Sequence, residues 1–374
     1  MEKAVTRSTQ IPFDGVPYEP DIFLQRTSRL TIAKKYLHKA AMLKLYGQPS
    51  LELRRLDRSQ RILWIYARRN FGDATMDMAG RALLKGLGYR LDLLTLPSLH
   101  KLFAEDDVFG NVYSNPADVD ASQYDAILLS EFNLPSIRLK TRYFRRMPFA
   151  CLFQFFNGPD RNQTCFSFAT VNAVFALGHR ASELETLSKP YLTTSQATRD
   201  SVKPQLPAEP FIALATGGID PDRTYHRWPE LVDLLERNDD PRIPRVLVLL
   251  GSDNGMDIAR ELCGLRTERV RITSRVGQLP FLQAREMVAH AALFVGADGG
   301  LMHVAHTTGT PSVSLFSYRE PPRLRLTEAC HSIGLQAHGN VDTIAPEAIM
   351  NAIARQLTAE SAASGPDLAQ AGPR

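Results

Sequence analysis

The sequence predicts an α/β protein with two doubly wound domains that face a cleft, and three observations support this fold class. Short apolar runs alternate with helical patterns, which is typical of parallel sheets covered by helices on both faces. The Pro-rich segment 203–210, "KPQLPAEP", interrupts the alternation, which then begins again. The chain has 374 residues, about twice the usual size of one domain, so two domains are expected.

The composition is that of an ordinary globular protein, with 44% hydrophobic and 22% charged residues. The formal net charge of +4 is too small to indicate a nucleic-acid partner, and none is expected. The N-terminus has no signal-peptide pattern, and no run of about 18 apolar residues occurs. The cysteines lack CxxC spacing, which fits a reducing cytoplasm: they are Cys151, Cys165, Cys263 and Cys330. We therefore expect a cytoplasmic protein.

Residues 1–60 are predicted to form a basic, helical N-terminal arm. Between Asp21 and Arg69 the sequence has twelve Lys or Arg and three Asp or Glu. Apolar residues share one helical face and lysines lie off it: the face holds Leu30, Ala33, Leu37 and Ala40, and Lys34, Lys35 and Lys39 lie outside it. One interpretation is a solvated helix whose apolar face packs on the main body. The other is a basic helix that contacts anionic lipid, making the protein peripheral at the inner membrane.

Each of the two domains is predicted to contain alternating strands and helices. In the first, residues 61–202, strands are predicted at 62–66, 89–96 and 124–132, with a helical pattern through Met78, Ala79, Ala82 and Leu83. Residues 203–210 form the linker. In the second, residues 211–357, strands are predicted at 211–216, 245–251, 293–298 and 311–316, and helices at 228–237, 255–263 and 281–291. The tail 358–374 has the composition of a disordered segment.

Ligands of open α/β sheets bind at the carboxyl ends of the strands, so the residues that follow each strand are the candidates for a site. After the strand 62–66, Gly72 allows a tight turn and Asp73 lies at the start of the next helix. Asp is a favoured N-cap, and in that interpretation Asp73 stabilises the helix by about 1 kcal/mol. In the other interpretation Asp73 is a carboxylate at the rim of the cleft that takes a proton from an attacking hydroxyl.

A glycine loop follows the strand 211–216, which ends at Thr216. Backbone N–H groups of Gly217 and Gly218, with a helix N-terminus nearby, are able to cradle phosphate oxygens. His226 and Arg227 stand just before that helix, where positive charge would assist. The Walker A pattern GxxxxGK[ST] is absent, and an ordinary loop is the alternative.

The stretch 296–311, "GADGGLMHVAHTTGTP", follows another buried strand. Asp298 ends the strand, and Gly299 and Gly300 allow backbone to come close to a ligand. Asp298 with His303 and His306 would be a metal site in one interpretation, but the HExxH spacing is absent and no metal is expected. Orienting an amide or a helix terminus is the plain alternative for Asp298.

Taken together in their order along the chain, the three motifs resemble those of glycosyltransferase family 9, the ADP-heptose:lipopolysaccharide heptosyltransferases. The resemblance runs from about Arg61 to Gln356. Three stretches carry the resemblance: "ILWIYARRNFGDA", "IALATGGIDPDRTYHRWPEL" and "DGGLMHVAHTTGTPSVSLF". The third is the most specific, since it matches the family signature at several positions together: Asp298, Gly300, Leu301, His303, Ala305, Gly309 and Pro311.

The resemblance implies the GT-B architecture, two Rossmann-like domains with the active site between them. It also implies inverting transfer from a nucleotide-sugar, ADP-heptose or another, to lipopolysaccharide or a related glycan, with no required cofactor or metal. Asp73, beside Gly72, would be the general base. The nucleotide-sugar would be held by the residues of the later motifs: Thr216, Gly217, Gly218, His226, Arg227, Asp298, Gly299, Gly300, Leu301 and His303.

The chain departs from the family pattern in places. His226 replaces the usual Lys; a neutral histidine offsets diphosphate charge less, so either Arg227 compensates or the donor differs. Three further places differ. This chain has Thr216-Gly217 where the family has Pro-Gly, and Ser317-Tyr318 where the family has Gly-Pro. It has His306 where the family tends to have a small residue. Other hypotheses are a nucleotide-sugar epimerase of the same fold and a non-catalytic protein that binds a glycan or a partner. A protein acceptor is also open.

Overall fold

A computed structural model describes Lys3 and residues 27–156 and 161–363. Most of the predicted arm before residue 27, and the tail after residue 363, therefore lie outside the described residues. The chain divides into two compact units: Met1–Ser195 with Arg323–Ala329, and Gln196–Pro322 with Cys330–Arg374. The division falls at Ser195, before the Pro-rich segment 203–210 where the sequence placed the linker.

The first unit contains a five-stranded parallel sheet in the order β3-β2-β1-β4-β5. Its strands are β1 Arg61–Ile65, β2 Arg90–Leu94, β3 Val112–Tyr113, β4 Ala126–Leu129 and β5 Phe149–Cys151. Its helices are α1 Arg29–Leu45, α2 Phe71–Asp77, α3 Pro97–Phe103, α4 Leu134–Tyr143, α5 Gln163–Val174 and α6 Ala181–Leu187. The sequence predicted β1, β2 and β4 and missed the very short β3 and β5.

The second unit contains a six-stranded parallel sheet in the order β11-β10-β9-β6-β7-β8. Its strands are β6 Phe211–Ala215, β7 Val246–Leu250, β8 Arg271–Ser274, β9 Leu293–Ala297, β10 Ser312–Phe316 and β11 Ser332–Gln336. Its helices are α7 Gln196–Val202, α8 Trp228–Arg237, α9 Met256–Cys263, α10 Phe281–Ala289, α11 Gly300–Thr308 and α12 Pro346–Ala363. Two doubly wound parallel sheets confirm the predicted fold class.

The missed strands β8 and β11 are the two edges of the second sheet. Their side chains are mostly half-buried, and their sequences "RITS" and "SIGLQ" mix polar and apolar residues. Central strands such as β7 are buried throughout and read as continuous apolar runs. An edge strand lacks that signal because one side of it has no neighbouring strand.

Helix α8 shows how an apolar face forms the core of the second unit. Trp228, Leu231, Val232 and Leu235 are buried and recur at i, i+3, i+4 and i+7. Pro229 lies in the first turn, where a missing N–H costs nothing. The Trp228 ring packs edge-on against a neighbouring ring at 4.6 Å between centroids. Full burial of each such side chain contributes about 1.5–3 kcal/mol to folding.

The helical pattern after β1 is shorter than predicted, because α2 ends at Asp77 and a 3-10 helix, Ala79–Leu84, follows. Gly80 explains the close packing of this segment on α5. Its N–H donates to the Ser167 hydroxyl at 2.9 Å, and a Cβ there would lie 2.4 Å from the Ser167 carbonyl oxygen.

Helix α1 buries a different face from the one predicted. Ile32, Ala33, Lys39 and Leu43 are its buried residues. Leu30 and Leu37, predicted to pack on the body, are 54% and 60% exposed, so that prediction was wrong. The apolar residues of α1 are spread around the helix, and packing against the sheet selects the face.

The end of the chain also differs from expectation, since α12 extends to Ala363 within the predicted disordered tail. Within the described residues no helix is both long and apolar enough to cross a membrane.

Candidate active site

The predicted site residues fall at the points where the strand order reverses. In the first sheet this point lies between β1 and β4, and in the second between β6 and β9. Loops that follow strands on either side of such a point diverge and leave a crevice at the carboxyl edge of the sheet. One group of candidates lies in each unit.

Asp73 lies in the first turn of α2, and the N-cap of this helix is Asn70. The interpretation of Asp73 as the N-cap is therefore wrong. The Asn70 side-chain amide donates to Asp73 Oδ2 at 3.0 Å, which fixes one carboxylate oxygen. Asp73 is half-buried at the edge of the sheet.

A network of buried charge lies beside Asp73, and sequence reasoning missed it. Arg68 follows β1 and donates to both carboxylate oxygens of Glu131, which follows β4, at 2.7 and 2.5 Å. Arg68 also lies 3.6 Å from Asp77 Oδ2, one helical turn beyond Asp73. Tyr66 Oη and Gln163 Nε2 donate to Asp77 at 2.9 and 2.6 Å. The network joins the two loops on either side of the reversal.

The pKa values of the two buried carboxylates of this network are shifted in opposite directions. Burial, helped by the nearby charge of Asp73, raises the pKa of Asp77 to about 7 despite the opposing charge of Arg68. Burial also acts to raise the pKa of Glu131, but the hydrogen bonds and charge of Arg68 hold it below its ordinary value. Near neutral pH, Glu131 is therefore ionised and Asp77 is only partly so.

In the second unit, the chain's own packing explains the first pair of glycines. A Cβ on Gly217 would lie 2.8 Å from Asn254 Oδ1, and one on Gly218 would lie 2.6 Å from Thr224 Oγ1. Thr216 is buried beneath them, and its Oγ1 lies 3.4 Å from the Gly255 carbonyl oxygen. This loop needs glycine to fold, whether or not a ligand binds there.

The glycines after β9 differ in this respect. A Cβ on Gly299 would meet nothing closer than the Ala297 carbonyl oxygen at 3.7 Å, and one on Gly300 would make only ordinary contact with Phe281. Helix α11 begins at Gly300, and no side chain caps its N-terminus. The half-buried Leu301 is its second residue. The first turn of α11 thus presents backbone N–H groups where the protein leaves room, which suits an anion such as a diphosphate.

Asp298 stands at the centre of the second group. It is buried, and its carboxylate lies 3.4 Å from His303 Nε2 and 3.4 Å from an Arg223 guanidinium nitrogen. His303 is also buried, and its Nδ1 has no hydrogen-bond partner. Arg223 lies in the 3-10 helix Pro221–Arg223, which follows the glycine loop.

The predicted cations before α8 are engaged elsewhere. His226 contacts Asp342 twice: its N–H donates to Oδ1 at 2.6 Å and its Nδ1 lies 2.9 Å from Oδ2. Arg227 forms a two-pronged ion pair with Glu230 at 2.8 and 2.6 Å. Arg227 is therefore tied to a carboxylate in the first turn of α8, and His226 to one in the 3-10 helix Val341–Thr343.

Two other arginines lie in this group, and sequence reasoning missed both. Besides Arg223, Arg319 follows β10 and pairs with Asp222 at 2.8 Å. Asp220 lies between the two guanidinium groups, at 3.9 Å from Arg223 and 3.8 Å from Arg319. Both arginines follow strands close to the reversal, and that position is the signal in the sequence that could have identified them.

His306 lies deeper than His303 in α11. It is fully buried, its Nε2 lies 3.4 Å from Ser314 Oγ, and burial lowers its pKa to about 3, so the ring is neutral. Among the residues that the structure describes, no group of three or more His, Cys, Asp or Glu side chains is arranged to hold a metal ion.

A cavity of about 420 Å³ lies at the opposite, amino edge of the first sheet. Arg61, Arg90 and Asp92, from the beginnings of β1 and β2, are among the residues that line it. It is therefore separate from the group around Asp73.

The chain is similar to known glycosyltransferases in sequence profile and in fold. The profile of glycosyltransferase family 9 (heptosyltransferase) matches residues 142–343, which include the second group of site residues but not Asp73. No curated protein matches the chain by sequence.

Solved structures share the fold. A glycosyl transferase family 9 protein from Veillonella parvula is 14% identical with a TM-score of 0.64, over 80% of this chain and 97% of that chain. The ADP-heptose lps heptosyltransferase II of E. coli is 18% identical with a TM-score of 0.60, over 80% and 99%. The E. coli heptosyltransferase WaaC with ADP is 17% identical with a TM-score of 0.56, over 81% and 99%.

At these identities the structural matches show the fold alone, which is the GT-B fold of the heptosyltransferases. The profile match spans more than half of the chain and contains the signature around Asp298. The chain belongs to glycosyltransferase family 9, the heptosyltransferase family, and is a glycosyltransferase.

Proposed function

We propose that the protein is an inverting heptosyltransferase that moves heptose from ADP-heptose to a hydroxyl of a lipopolysaccharide or a related glycan, with Asp73 as the general base. The placement of Asp73 carries the proposal. Asp73 is half-buried at the carboxyl edge of the first sheet, and its carboxylate accepts a hydrogen bond from the Asn70 amide. A hydroxyl at this edge would be within reach of a base.

The reaction needs a base on one side of the anomeric carbon and charge stabilisation on the other. Asp73 takes the proton as the acceptor oxygen bonds to the anomeric carbon, and the bond from that carbon to the diphosphate breaks. ADP leaves from the opposite face, which inverts the configuration. The first turn of α11, with Arg223 and Arg319, supplies the positive potential that the leaving diphosphate requires.

Donor binding is assigned to the residues around the reversal in the second unit. Gly299, Gly300 and Leu301 hold the diphosphate by their backbone, while Asp298 and His303 contact the nucleotide-sugar. His226 and Arg227 bind the donor only if they leave Asp342 and Glu230. Thr216, Gly217 and Gly218 shape the neighbouring loop, and Gly72 precedes the base.

The first test changes Asp73 to Asn. We expect transfer to fall about 10²- to 10⁴-fold, because the general base is lost, while ADP-heptose still binds. Rates with a purified acceptor and donor affinity by calorimetry measure the two effects. Glu183→Gln is the matched control, since Glu183 is the third residue of another seven-residue helix in the same unit. Near-normal turnover by the Asp73 variant would contradict the assignment of Asp73 as the general base.

A second experiment tests the donor and the reaction class. Thermal stabilisation by ADP-heptose beyond that by other nucleotide-sugars supports the donor, because a ligand of the native state raises the melting temperature. Release of ADP only when a glycan acceptor is present supports transfer. Interconversion of donor epimers without acceptor would instead identify an epimerase, and failure of every nucleotide-sugar to bind would indicate a non-catalytic protein.

The proposal includes a cytoplasmic reaction without an essential metal ion or another cofactor. Transfer by protein treated with a chelator should proceed at the untreated rate. A loss of rate that a divalent cation restores would contradict this part of the proposal. A peptide acceptor that is glycosylated faster than a glycan would reassign the acceptor.

A further inference from the structure

We propose that α1 and α4, with the residues that follow each helix, form a docking surface for a bilayer of anionic phospholipid. The basic surface, as we name it, comprises residues 29–51 and 134–148. It lies in the first unit, mostly outside the residues that match the family profile. The inference does not depend on the transfer reaction proposed above.

The charge of the basic surface has one sign. Neither segment contains an Asp or a Glu. The exposed cations are Arg29, Lys34, Lys35, Lys44, Arg138, Arg142, Arg145 and Arg146. None of them forms an ion pair with a residue that the structure describes. A surface of uncompensated cations attracts an anionic partner.

Exposed leucines accompany these cations along α1. One stripe of the helix, with spacings of three and four residues, is exposed throughout: Leu30, Lys34, Leu37, Ala41, Lys44 and Leu45. It lies opposite the buried residues Ile32, Lys39 and Leu43. Mixed leucine and lysine on an outward face is typical of a helix that lies in a membrane interface, with leucines in the acyl boundary and ammonium groups among headgroups.

The two helices form one continuous surface at their carboxyl ends. The buried Lys140 ammonium donates to the Gln48 side chain, and the Gln48 amide donates to the Arg145 carbonyl oxygen at 3.3 Å. The Arg145 guanidinium lies 5.8 Å from the centre of the Tyr46 ring. Tyr46 and Tyr143 therefore place exposed aromatic rings beside the cations, as is common at membrane interfaces.

Exposed apolar side chains concentrate on this surface. The described residues expose ten large hydrophobic side chains, and five of them lie here: Leu30, Leu37, Leu45, Tyr46 and Tyr143. Isolated exposed leucines need no explanation, but a cluster of them marks an interaction site. A nucleic acid would also attract the cations and would stack bases on the two tyrosine rings, but it would leave the three exposed leucines without an apolar partner. The combination favours lipid.

The position of α1 relates this surface to the candidate base. The Tyr36 ring packs on Phe155 at 4.7 Å, and Phe155 packs on Phe132 at 4.9 Å. Phe132 and Phe155 follow β4 and β5, so the first half of α1 lies at the carboxyl edge of the sheet, as Asp73 does. A bilayer bound along α1 would thus lie near the edge where an acceptor carried by that bilayer is needed.

Vesicle co-sedimentation of the full chain tests the proposal. Vesicles of phosphatidylcholine with phosphatidylglycerol are compared with phosphatidylcholine alone, at low salt and at about 1 M salt, where the Debye length is about 3 Å. We expect binding to the anionic vesicles at low salt and its loss at high salt. The double variant Leu30→Gln, Leu37→Gln and the triple variant Lys34→Gln, Lys35→Gln, Lys44→Gln should each lower the partition coefficient about tenfold or more.

Matched controls separate this surface from general effects of apolarity and charge. Leu87→Gln with Leu187→Gln removes two exposed leucines elsewhere in the first unit. Lys101→Gln, Arg266→Gln and Arg355→Gln remove the same net charge from exposed positions elsewhere. Both controls should bind anionic vesicles as the unchanged protein does.

Equal binding to both kinds of vesicle, or equal losses in the target and control variants, would overturn the proposal. Binding of single-stranded RNA that depends on the lysines but not on the leucines, without vesicle binding, would identify a nucleic-acid surface instead. All the changed side chains are exposed, so each variant is expected to fold. Circular dichroism melting curves check this.

Discussion

Two carboxylates one helical turn apart in α2 have opposite surroundings. Asp73 is half-buried and contacts a neutral amide, whereas Asp77 is fully enclosed and receives hydrogen bonds from Tyr66 and Gln163. Environment rather than residue type thus separates their chemistry. In the proposed reaction Asp73 takes the acceptor proton, whereas Asp77 is held by the hydrogen bonds that position α2.

The raised pKa of Asp77 makes a prediction about stability. The folded protein binds this proton more tightly than the unfolded chain does, so the unfolding free energy falls as the pH rises from 3.8 to about 7. At 1.36 kcal/mol per pH unit, the effect is at most roughly 4 kcal/mol. Asp77→Asn removes this proton, so its stability relative to the unchanged protein should rise over this interval and level off above it. Urea unfolding at a series of pH values measures the difference; parallel curves would contradict it.

The glycines of the two loops in the second unit make a paired prediction. Gly217→Ser forces a Cβ against Asn254 and should destabilise the protein by about 1–3 kcal/mol. Gly299→Ser makes only an ordinary contact and provides an N-cap for α11, so stability should change by less than about 1 kcal/mol. Donor affinity should nevertheless fall, because the new side chain occupies the space beside the helix N-terminus. Denaturation and calorimetry give the two values, and unchanged affinity in Gly299→Ser would argue against a ligand there.

At the scale of elements, α1 shows where periodicity fails. Apolar residues occur all around this helix, so more than one face matches a helical pattern. Tyr36 on Phe155, and Leu43 in the core of the first sheet, determine the rotation that the chain adopts. By contrast, α8 has a single apolar face and was predicted correctly.

The rotation of α1 is testable by a pair of truncations. Ile32→Ala removes a fully buried side chain and should cost about 2–5 kcal/mol. Leu37→Ala truncates a side chain that is 60% exposed and should change stability by less than about 0.5 kcal/mol. Chemical denaturation provides both values. A larger loss for Leu37→Ala than for Ile32→Ala would mean that the helix packs through its predicted face.

At the scale of the whole molecule, the proposed tasks divide between the two units. The first carries Asp73 and the basic surface, and the second carries the glycine loops, Asp298 and α11. The family profile matches mainly the second unit. Donor recognition is therefore expected to be a property of the second unit.

Hydrogen exchange of the full chain tests this division. Adding ADP-heptose should slow amide exchange in the loops after β6 and β9, at residues 216–227 and 298–303, because ligand contacts suppress local opening. The loop at residues 66–73 should change less in the absence of acceptor. ADP alone is the control for contacts made by the sugar. Protection confined to the first unit would overturn the assignment of the donor site.

The sequence by itself determined the two doubly wound sheets, because buried parallel strands read as apolar runs between helical patterns. It also determined where candidate residues lie, since each follows a strand directly and the carboxyl ends of parallel strands share an edge. Only the tertiary structure decided which side chains meet. Arg68 pairs with Glu131, Arg223 with Asp298 and His226 with Asp342, each across a long stretch of chain. Such pairings depend on how loops converge in space, which no local periodicity encodes.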